Sequence, residues 1–371
     1  MEKHLHIVCL DVPYPPDYGG VFDLFYKMKA LHEAGILIHL HCFEYGRGEQ
    51  QELEKYCKSV KYYSRKTGFS GLSFRVPYIV SSRANKKLLA NLLLDNHPIL
   101  LEGIHCTYFL FKEQLPGRKV FVRLHNVEYE YYRHLAKSSG LLKKVYFLRE
   151  SWLLKAYERK IASKAVIIAV APKDKNLYEI EFSAPDVRYL PIFIPWKKIK
   201  SLTGSGTYCL YHGNLTVPEN EKATSWIIQN MAGRTLLPLI IAGHSPSDSL
   251  LQLASAKNIQ IEANPSMERM EELISNAHIH ILPSFNVTGI KIKILNALYN
   301  GRHCIVNYSA DDQSGLHSLC HNATSPDDFL NVIHSLVIRP FSENEKKTRA
   351  DLLEVQYNNE NNAGILISWI Y

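Results

Sequence analysis

Two lysines, Lys291 and Lys293, follow an apolar run, Ala277-His278-Ile279-His280-Ile281-Leu282, that ends at Pro283. A polar loop, 284–288, lies between. From Gly289 onward the apolar residues Ile290, Ile294, Leu295 and Leu298 recur at helical spacing, and Asn300-Gly301 stops the segment. The pattern predicts a strand, a loop, a helix opening at Gly289, and a further strand from His303. Open α/β sheets bind ligands at the carboxyl ends of their strands. Free backbone N–H groups and the helix dipole favour an anion there. Lysines in a first helical turn oppose that dipole unless an anion is present. Lys291, Lys293 and the backbone of Gly289 and Ile290 are therefore candidate anion ligands. Solvated surface lysines are the competing reading of the same spacing.

Two other stretches have the same strand-then-loop character. Residues 4–10 read as a strand and run into Pro13-Tyr14-Pro15-Pro16-Asp17-Tyr18-Gly19-Gly20. A helical pattern over 22–34 and a strand over 36–43 complete a βαβ unit, which predicts a parallel sheet. Gly19 and Gly20 would let backbone approach a ligand closely, although a plain tight turn fits them as well. A buried strand over 119–124 runs into Arg123-Leu124-His125-Asn126-Val127-Glu128. His125 is the candidate there for orienting a hydroxyl or moving a proton, with Asn126 and Glu128 beside it. No G-x-G-x-x-G and no G-x-x-x-x-G-K-[ST] occurs, which argues against a nicotinamide site and a P-loop NTPase.

The elements that must position these groups call for two domains in 371 residues. Residues 49–62 and 82–95 read as helices, and 141–164 as a long basic one. After the charged, Gly/Ser-rich stretch 197–206 the α/β rhythm restarts, with strands ending at Gly213-Asn214 and Gly243. The expected division is 1–196, a linker 197–206, a second domain 207–345, and a C-terminal segment 346–371. No run of 18 apolar residues exists, and the N-terminus reads as a strand rather than a signal peptide. The seven cysteines are scattered, with no C-x-x-C pair. They read as reduced core residues of a cytoplasmic protein, with no zinc site expected.

Charge divides unevenly: residues 1–200 hold 32 basic against 20 acidic residues, a net +12, and residues 201–371 hold 11 against 16, a net −5. A basic first half suggests an anionic partner. The helix over 141–164 interleaves Lys143, Lys144, Arg149 and Lys155 with Phe147, Trp152 and Tyr157. With 58–78 it could meet an acidic membrane surface from the cytoplasmic side, or simply be a solvated face over the core. No nucleic-acid-binding module is recognisable, so none is expected as a partner.

Four stretches, in this order, resemble the GT-B glycosyltransferases, and among them family 4-like enzymes of bacterial polysaccharide synthesis. Pro13 to Gly20 is similar to the N-terminal P-x-x-G-G region. Arg123-Leu124-His125-Asn126-Val127-Glu128-Tyr129 with Tyr131-Tyr132 resembles an R-H-N-x-E…Y-Y signature. Gly213-Asn214 with Pro218-Glu219-Asn220 resembles the opening of the donor domain. Thr288-Gly289-Ile290-Lys291-Ile292-Lys293-Ile294-Leu295-Asn296-Ala297-Leu298 with Gly301 resembles the donor-binding G-I-K-x-K-x-L-E-A-L-x-x-G element.

The resemblance implies two Rossmann-like domains facing a cleft, with the last helix crossing back to the first. It implies a nucleotide-sugar donor in the second domain and a saccharide or lipid-linked acceptor in the first. Donor-binding positions would be Gly19, Gly20, Gly213, Asn214, Thr288, Gly289, Ile290, Lys293 and Asn296. His125 and Lys291 would act at the reaction centre, and Asn126 and Glu128 on the acceptor side. Retention of configuration is implied, with no cofactor and no metal; consistently, no D-x-D occurs. The chain departs from the E-x7-E of family 4, carrying Thr288 and Asn296 at those places. Asn214 stands where an Arg is usual, with Lys222 a loose candidate for the phosphate Lys. A non-catalytic GT-B subunit and a GT-B nucleotide-sugar epimerase stay open as alternatives.

Overall fold

The computed structural model describes residues 2–17, 19–137, 139–285, 289–308 and 314–371. They form two compact units. The first comprises Met1–Pro195, Thr288–Ile290 and Tyr357–Tyr371, and the second Trp196–Val287 and Lys291–Gln356.

The first unit is built on seven parallel strands: β1 (Lys3–Cys9), β2 (Ile36–Glu44), β3 (Ser59–Ser64), β4 (Ile99–Glu102), β5 (Val120–Leu124), β6 (Val166–Ala169) and β7 (Val187–Tyr189). Their order is β3-β2-β1-β4-β5-β6-β7. Strand side chains alternate between faces. Val8, Leu101 and Val122 therefore enter one core, while Ile7, Leu100 and Phe121 enter the other. Burial on both faces is why these strands read as continuous apolar runs. The C-terminal helix Asn359–Ile370 places Ala363, Leu366 and Ile370 in the same core as Leu24, Met28 and Leu31 of the helix Gly19–Glu33. It is separate from the helix Glu343–Gln356: Asn358 caps it by accepting from the Asn361 N–H at 2.9 Å.

The second unit carries six parallel strands: β8 (Cys209–Asn214), β9 (Leu239–His244), β10 (Gln260–Ala263), β11 (Ile279–Ile281), β12 (His303–Val306) and β13 (His321–Asn322), in the order β10-β9-β8-β11-β12-β13. Leu210 and Ala242 pack with Leu273 and Ile274 of the helix Met267–Asn276. Residues 197–206 are held by backbone bonds. The Lys200 N–H donates to Tyr299 O at 2.7 Å, and Gly204 pairs with Phe341 across an isolated bridge. No helix among the described residues is long and apolar enough to cross a membrane. All seven cysteines are free.

Three expectations need correction. Residues 49–62 do not form a helix: only Gln51–Lys55 makes a short 3-10 turn, and Ser59 onward pairs with β2 as the edge strand. Its half-buried side chains hide the period-two signal, and Tyr63 is tied into the sheet through a 2.8 Å bond to His41. The basic helix expected over 82–95 is confined to Lys86–Leu92, started by the Asn85 side chain. The helix expected to open at Gly289 begins at Ile292, because Gly289 has φ +67.

Candidate active site

In both sheets the strand order reverses at one place: between β1 and β4 in the first, and between β8 and β11 in the second. Connections leave on opposite sides there, which opens a crevice at the carboxyl ends. The loops named by sequence fall at these places. Gly19 and Gly20 follow β1, His125 follows β5 beside β4, Gly213-Asn214 ends β8, and residues 289–291 follow β11.

In the second unit the centre is Lys293, one residue into the helix Ile292–Asn300. Its Nζ donates to Asn220 Oδ1 at 2.9 Å and to Tyr211 OH at 3.0 Å, and lies 4.8 Å from the Tyr211 ring centroid. Asn220 in turn donates from Nδ2 to Asn214 O at 2.8 Å. One side-chain amide thus ties the ammonium to the end of β8. Burial, helped by the Lys291 charge, holds the Lys293 amine down to about 7. An enclosed amine whose hydrogen-bond partners are a phenol and an amide oxygen is a group ready to gain a proton when an anion arrives. Lys291 is the residue at which the helix starts, and its own side chain makes no cap bond to the first N–H groups.

Asn214 is bound up differently than expected. Its Oδ1 accepts from the Thr216 N–H at 3.0 Å and hydroxyl at 2.7 Å, which shapes the turn after β8. Asn296 accepts from Asn300 Nδ2 at 2.8 Å on its Oδ1, so the amide N–H groups are what it can offer a hydroxyl. Thr288 lies outside the described residues. Gly213 and Gly243 sit side by side at the ends of β8 and β9. A Cβ on Gly243 would lie 2.1 Å from Gly213 O, so this position admits glycine only. Lys222 Nζ lies 5.2 Å from the Phe285 ring centroid, a cation–π placement. Tyr211, Asn220 and Gly243 were not identified as site residues from sequence. Tyr211 and Asn220 are 82 and 73 residues from Lys293, and no local pattern links them to it.

In the first unit, Gly19 and Gly20 form the opening of the helix Gly19–Glu33 rather than a loop before it, and they place N–H groups that lack an acceptor within the helix at its start. The preceding loop is held by Arg47, which donates to Pro15 O at 2.6 Å and pairs with Asp11 and Asp17. Further along that helix, Asp23 and Lys27 are fully buried. Asp23 accepts from Arg123 Nε at 2.7 Å and Nη2 at 2.9 Å, and from the Phe193 N–H at 2.8 Å. Lys27 Nζ lies 3.2 Å from Asp23 and 2.7 Å from Glu102. Burial alone would push both carboxyls up. For Asp23 the Arg123 and Lys27 charges outweigh it, and for Glu102 the Lys27 charge and the His125 bond do so, leaving both lowered.

His125 rests on this cluster, with only 11% of its side chain exposed. Its Nε2 is 3.0 Å from Glu102 Oε2, and its Nδ1 is 3.9 Å from Asp23 Oδ2. A hydrogen bond donated from Nε2–H to the carboxylate leaves the lone pair on Nδ1, the tautomer that can accept a hydroxyl proton. Spacing alone would let Asp23, Glu102 and His125 hold a cation. Lys27 and Arg123 already neutralise both carboxylates, so the donor set does not favour one. Glu128 is buried, and burial pushes its carboxyl up to about 7 against a hydrogen bond from Asn126. Its own N–H donates to Glu158 Oε1 at 2.9 Å. Asn126 and Glu128 thus meet each other, and Glu128 is anchored to the helix Leu141–Ala162 that carries Glu158.

Residues 206–338 match the family model described as Glycosyl transferases group 1. An "uncharacterized 44.6 kDa protein in cps region" of Klebsiella pneumoniae is 26% identical over 318 residues, which is 79% of this chain and 80% of that one. Among solved structures, Anabaena Alr3699/HepE in complex with UDP and glucose is similar over 100% of this chain and 99% of its own, with a TM-score of 0.67 at 11% identity. A mutant of S. aureus TarM in complex with fondaparinux, alpha-GlcNAc-glycerol and UDP is similar over 99% of each chain, with a TM-score of 0.68 at 9% identity. With two parallel-stranded Rossmann-like units and the family match lying in the second, the chain has the GT-B fold and carries a glycosyl transferases group 1 domain over residues 206–338.

Proposed function

We propose that this glycosyltransferase moves a sugar from a UDP-sugar to a saccharide or lipid-linked acceptor in cell-surface polysaccharide synthesis, with retention and without a metal. The observation that carries the donor assignment is the Lys293 amine, held by Tyr211 and Asn220 at the end of β8 beside the strand-order reversal. As the glycosidic bond to the diphosphate breaks, negative charge grows on the leaving phosphate. Fixed cations and N–H groups aimed at it lower the barrier. Lys293, Lys291 and the backbone of Gly289 and Ile290 take that role here. They supply positive charge that a metal would otherwise bring. Asn296 offers its amide N–H groups to a donor hydroxyl, and Gly213 and Asn214 form the floor at the end of β8. Gly19 and Gly20 offer N–H groups to a phosphate in the first unit. His125, oriented by Glu102, accepts the proton of the attacking hydroxyl at Nδ1, with Asn126 and Glu128 on the acceptor side. UDP is favoured because the HepE and TarM structures contain it, and the polysaccharide context because the Klebsiella relative lies in a cps region.

The test is a thermal-shift panel of UDP, GDP, CMP and their sugar conjugates on the purified chain. UDP and one UDP-sugar are expected to raise the melting temperature, and GDP and CMP are not. A shift with GDP alone would overturn the uridine assignment. No shift with any nucleotide would favour a non-catalytic subunit.

We also infer that the protein works at the inner face of the cytoplasmic membrane. Phe69 and Phe74 are 92% and 93% exposed, and Leu142 and Trp152 are 88% and 72% exposed. Arg149 joins the two segments, donating to Ser73 O at 2.9 Å with its guanidinium 5.8 Å from the Phe74 ring centroid. Lys143 and Lys144 flank the apolar tip. Exposed aromatics among lysines suit an anionic lipid surface. Vesicles containing phosphatidylglycerol are expected to sediment the chain, and Leu142→Glu with Phe74→Ser to weaken that at least about tenfold, since burying each apolar side chain contributes on the order of 1.5 kcal/mol or more. Equal binding to neutral vesicles, or none to either kind, would remove the membrane assignment.

A further inference from the structure

Strands β1 and β2 carry histidine at alternate positions: His4 and His6 on one, His39 and His41 on the other. Period-two alternation and the parallel register put all four on one face. A fifth, His97, comes from the loop before β4 and stacks on His4 with ring centroids 4.4 Å apart. His4 Nδ1 faces His39 Nε2 at 3.0 Å. One ring nitrogen each from His4, His39 and His97 lies within 4.8 Å of the others, and all three residues are half-buried, open enough for an ion to reach. His39 Nδ1 is bonded to Ser59 Oγ at 3.0 Å, which turns its Nε2 toward the group. Behind them, His6 Nδ1 meets His41 Nε2 at 2.9 Å. His6 Nε2 meets Asp95 Oδ1 at 2.9 Å, and His41 Nδ1 meets Tyr63 OH at 2.8 Å.

We propose that His4, His39 and His97 form a binding site for one divalent transition metal of the zinc class. Imidazole is the ligand shared by zinc, cobalt, nickel and copper sites. A metal–nitrogen bond of about 2.0–2.1 Å puts two ligands of a tetrahedron roughly 3.3 Å apart. The 3.0 Å gap between His4 and His39 is close to that separation, with a shared proton where the ion would sit. His97 turns out of its stack to supply the third nitrogen, and water completes the tetrahedron. The bond from Ser59 to the remote nitrogen of His39 is the kind of outer contact that fixes a ligating ring. The lack of paired cysteines excludes a thiolate site but says nothing against three imidazoles. The other imidazole group with an acidic neighbour, His303, His321 and Glu345, is less suited. His303 Nε2 already bonds Arg339 O, and Arg339 pairs with Glu345.

The site lies at the amino ends of the strands, roughly 20 Å along β1 from the loop that begins after Cys9. It therefore clamps β1, β2 and the approach to β4, and it takes no part in sugar transfer.

The test uses the full chain stripped by a chelator at neutral pH, titrated with Zn2+ by calorimetry and with Co2+ by visible absorption. One equivalent is expected to bind. Co2+ is expected to show the d–d bands of a tetrahedral nitrogen-rich site, and Zn2+ to raise the melting temperature. His39→Gln and His97→Gln should each weaken binding at least tenfold, and Ser59→Ala should weaken it by about tenfold. His303→Gln should leave it unchanged. Circular dichroism verifies that the variants fold. His97 lies in a loop, so its variant perturbs the sheet least. Absence of binding by the native chain, affinity unchanged in His97→Gln, loss only in His303→Gln, or an octahedral oxygen-type Co2+ spectrum would each overturn the proposal.

Discussion

Replacing Asp23 by alanine is expected to remove about 3–5 kcal/mol of stability, the range for breaking a buried ion pair by deleting one partner. A domain of this kind is held by only about 5–15 kcal/mol, so the loss takes a large share of its stability. The reason lies in the groups left behind. Arg123 would lose both carboxylate bonds, Lys27 one of its two carboxylates, and the Phe193 N–H its carboxylate acceptor. Arg123 would keep the Leu190 and Pro191 carbonyls, at 3.2 and 2.9 Å, which cannot neutralise it. Asp23→Asn keeps the shape and one acceptor oxygen, so it should lose less than the alanine variant. The pH dependence has a definite sign. The folded-state pKa of Asp23 is lowered, so its contribution is fully present above about pH 4, the unfolded carboxyl value. It is lost progressively as the pH falls below that toward the folded value. Urea denaturation at pH 7 measures the first effect. A loss under about 1 kcal/mol for the alanine variant would show that the cluster is not a structural keystone.

Glu102 joins this cluster to His125, so the same network that holds the first sheet also orients the proposed base. Stability and chemistry share residues here, and variants of His125 need a stability measurement beside any rate.

How far the sequence alone could reach is visible at single residues. Strands β1, β2 and β5 were legible because strands covered on both faces are apolar throughout. The loop positions after them followed from that. Edge strand β3 was missed because its side chains are half-buried and its signal comes from pairing with β2. Asp23 and Lys27, four apart in a helix, look like an ordinary surface pair. Their burial depends on Arg123, 100 residues away. The charge of Lys293 suggested an anion site, but its enclosure by Tyr211 and Asn220 depends on a crossover between β8 and β11 that local spacing does not encode. The three-residue error at the start of its helix has a local cause, since apolar periodicity runs through Ile290 while the φ of Gly289 breaks the helix.

Lys293→Met is expected to lower UDP-sugar turnover about 10²–10³-fold, the usual cost of losing one preorganised charge donor to the developing anion, and to abolish the thermal shift with UDP. Its effect on the empty protein should run the other way. With the amine held down to about 7, the folded state resists a proton that the unfolded chain accepts up to the ordinary lysine value near 10.4. Between those values the unfolded state binds more protons, so stability rises with pH by at most about 1.4 kcal/mol per unit. Below pH 7 the folded state carries the full cost of a charged, enclosed amine. Lys293→Met removes that cost, and it should melt at or above the native temperature at pH 6 and lose the rise between pH 7 and 10. Binding of a diphosphate reverses the balance, because the anion favours the ammonium. Native protein at pH 8 should therefore take up a proton on binding UDP, read as a calorimetric enthalpy that changes with the ionisation enthalpy of the buffer, and Lys293→Met should not. If Lys293 served only to tie Asn220 and Tyr211 together, the methionine variant would melt lower and bind UDP nearly as the native chain does. That pair of results would move the phosphate site away from β8.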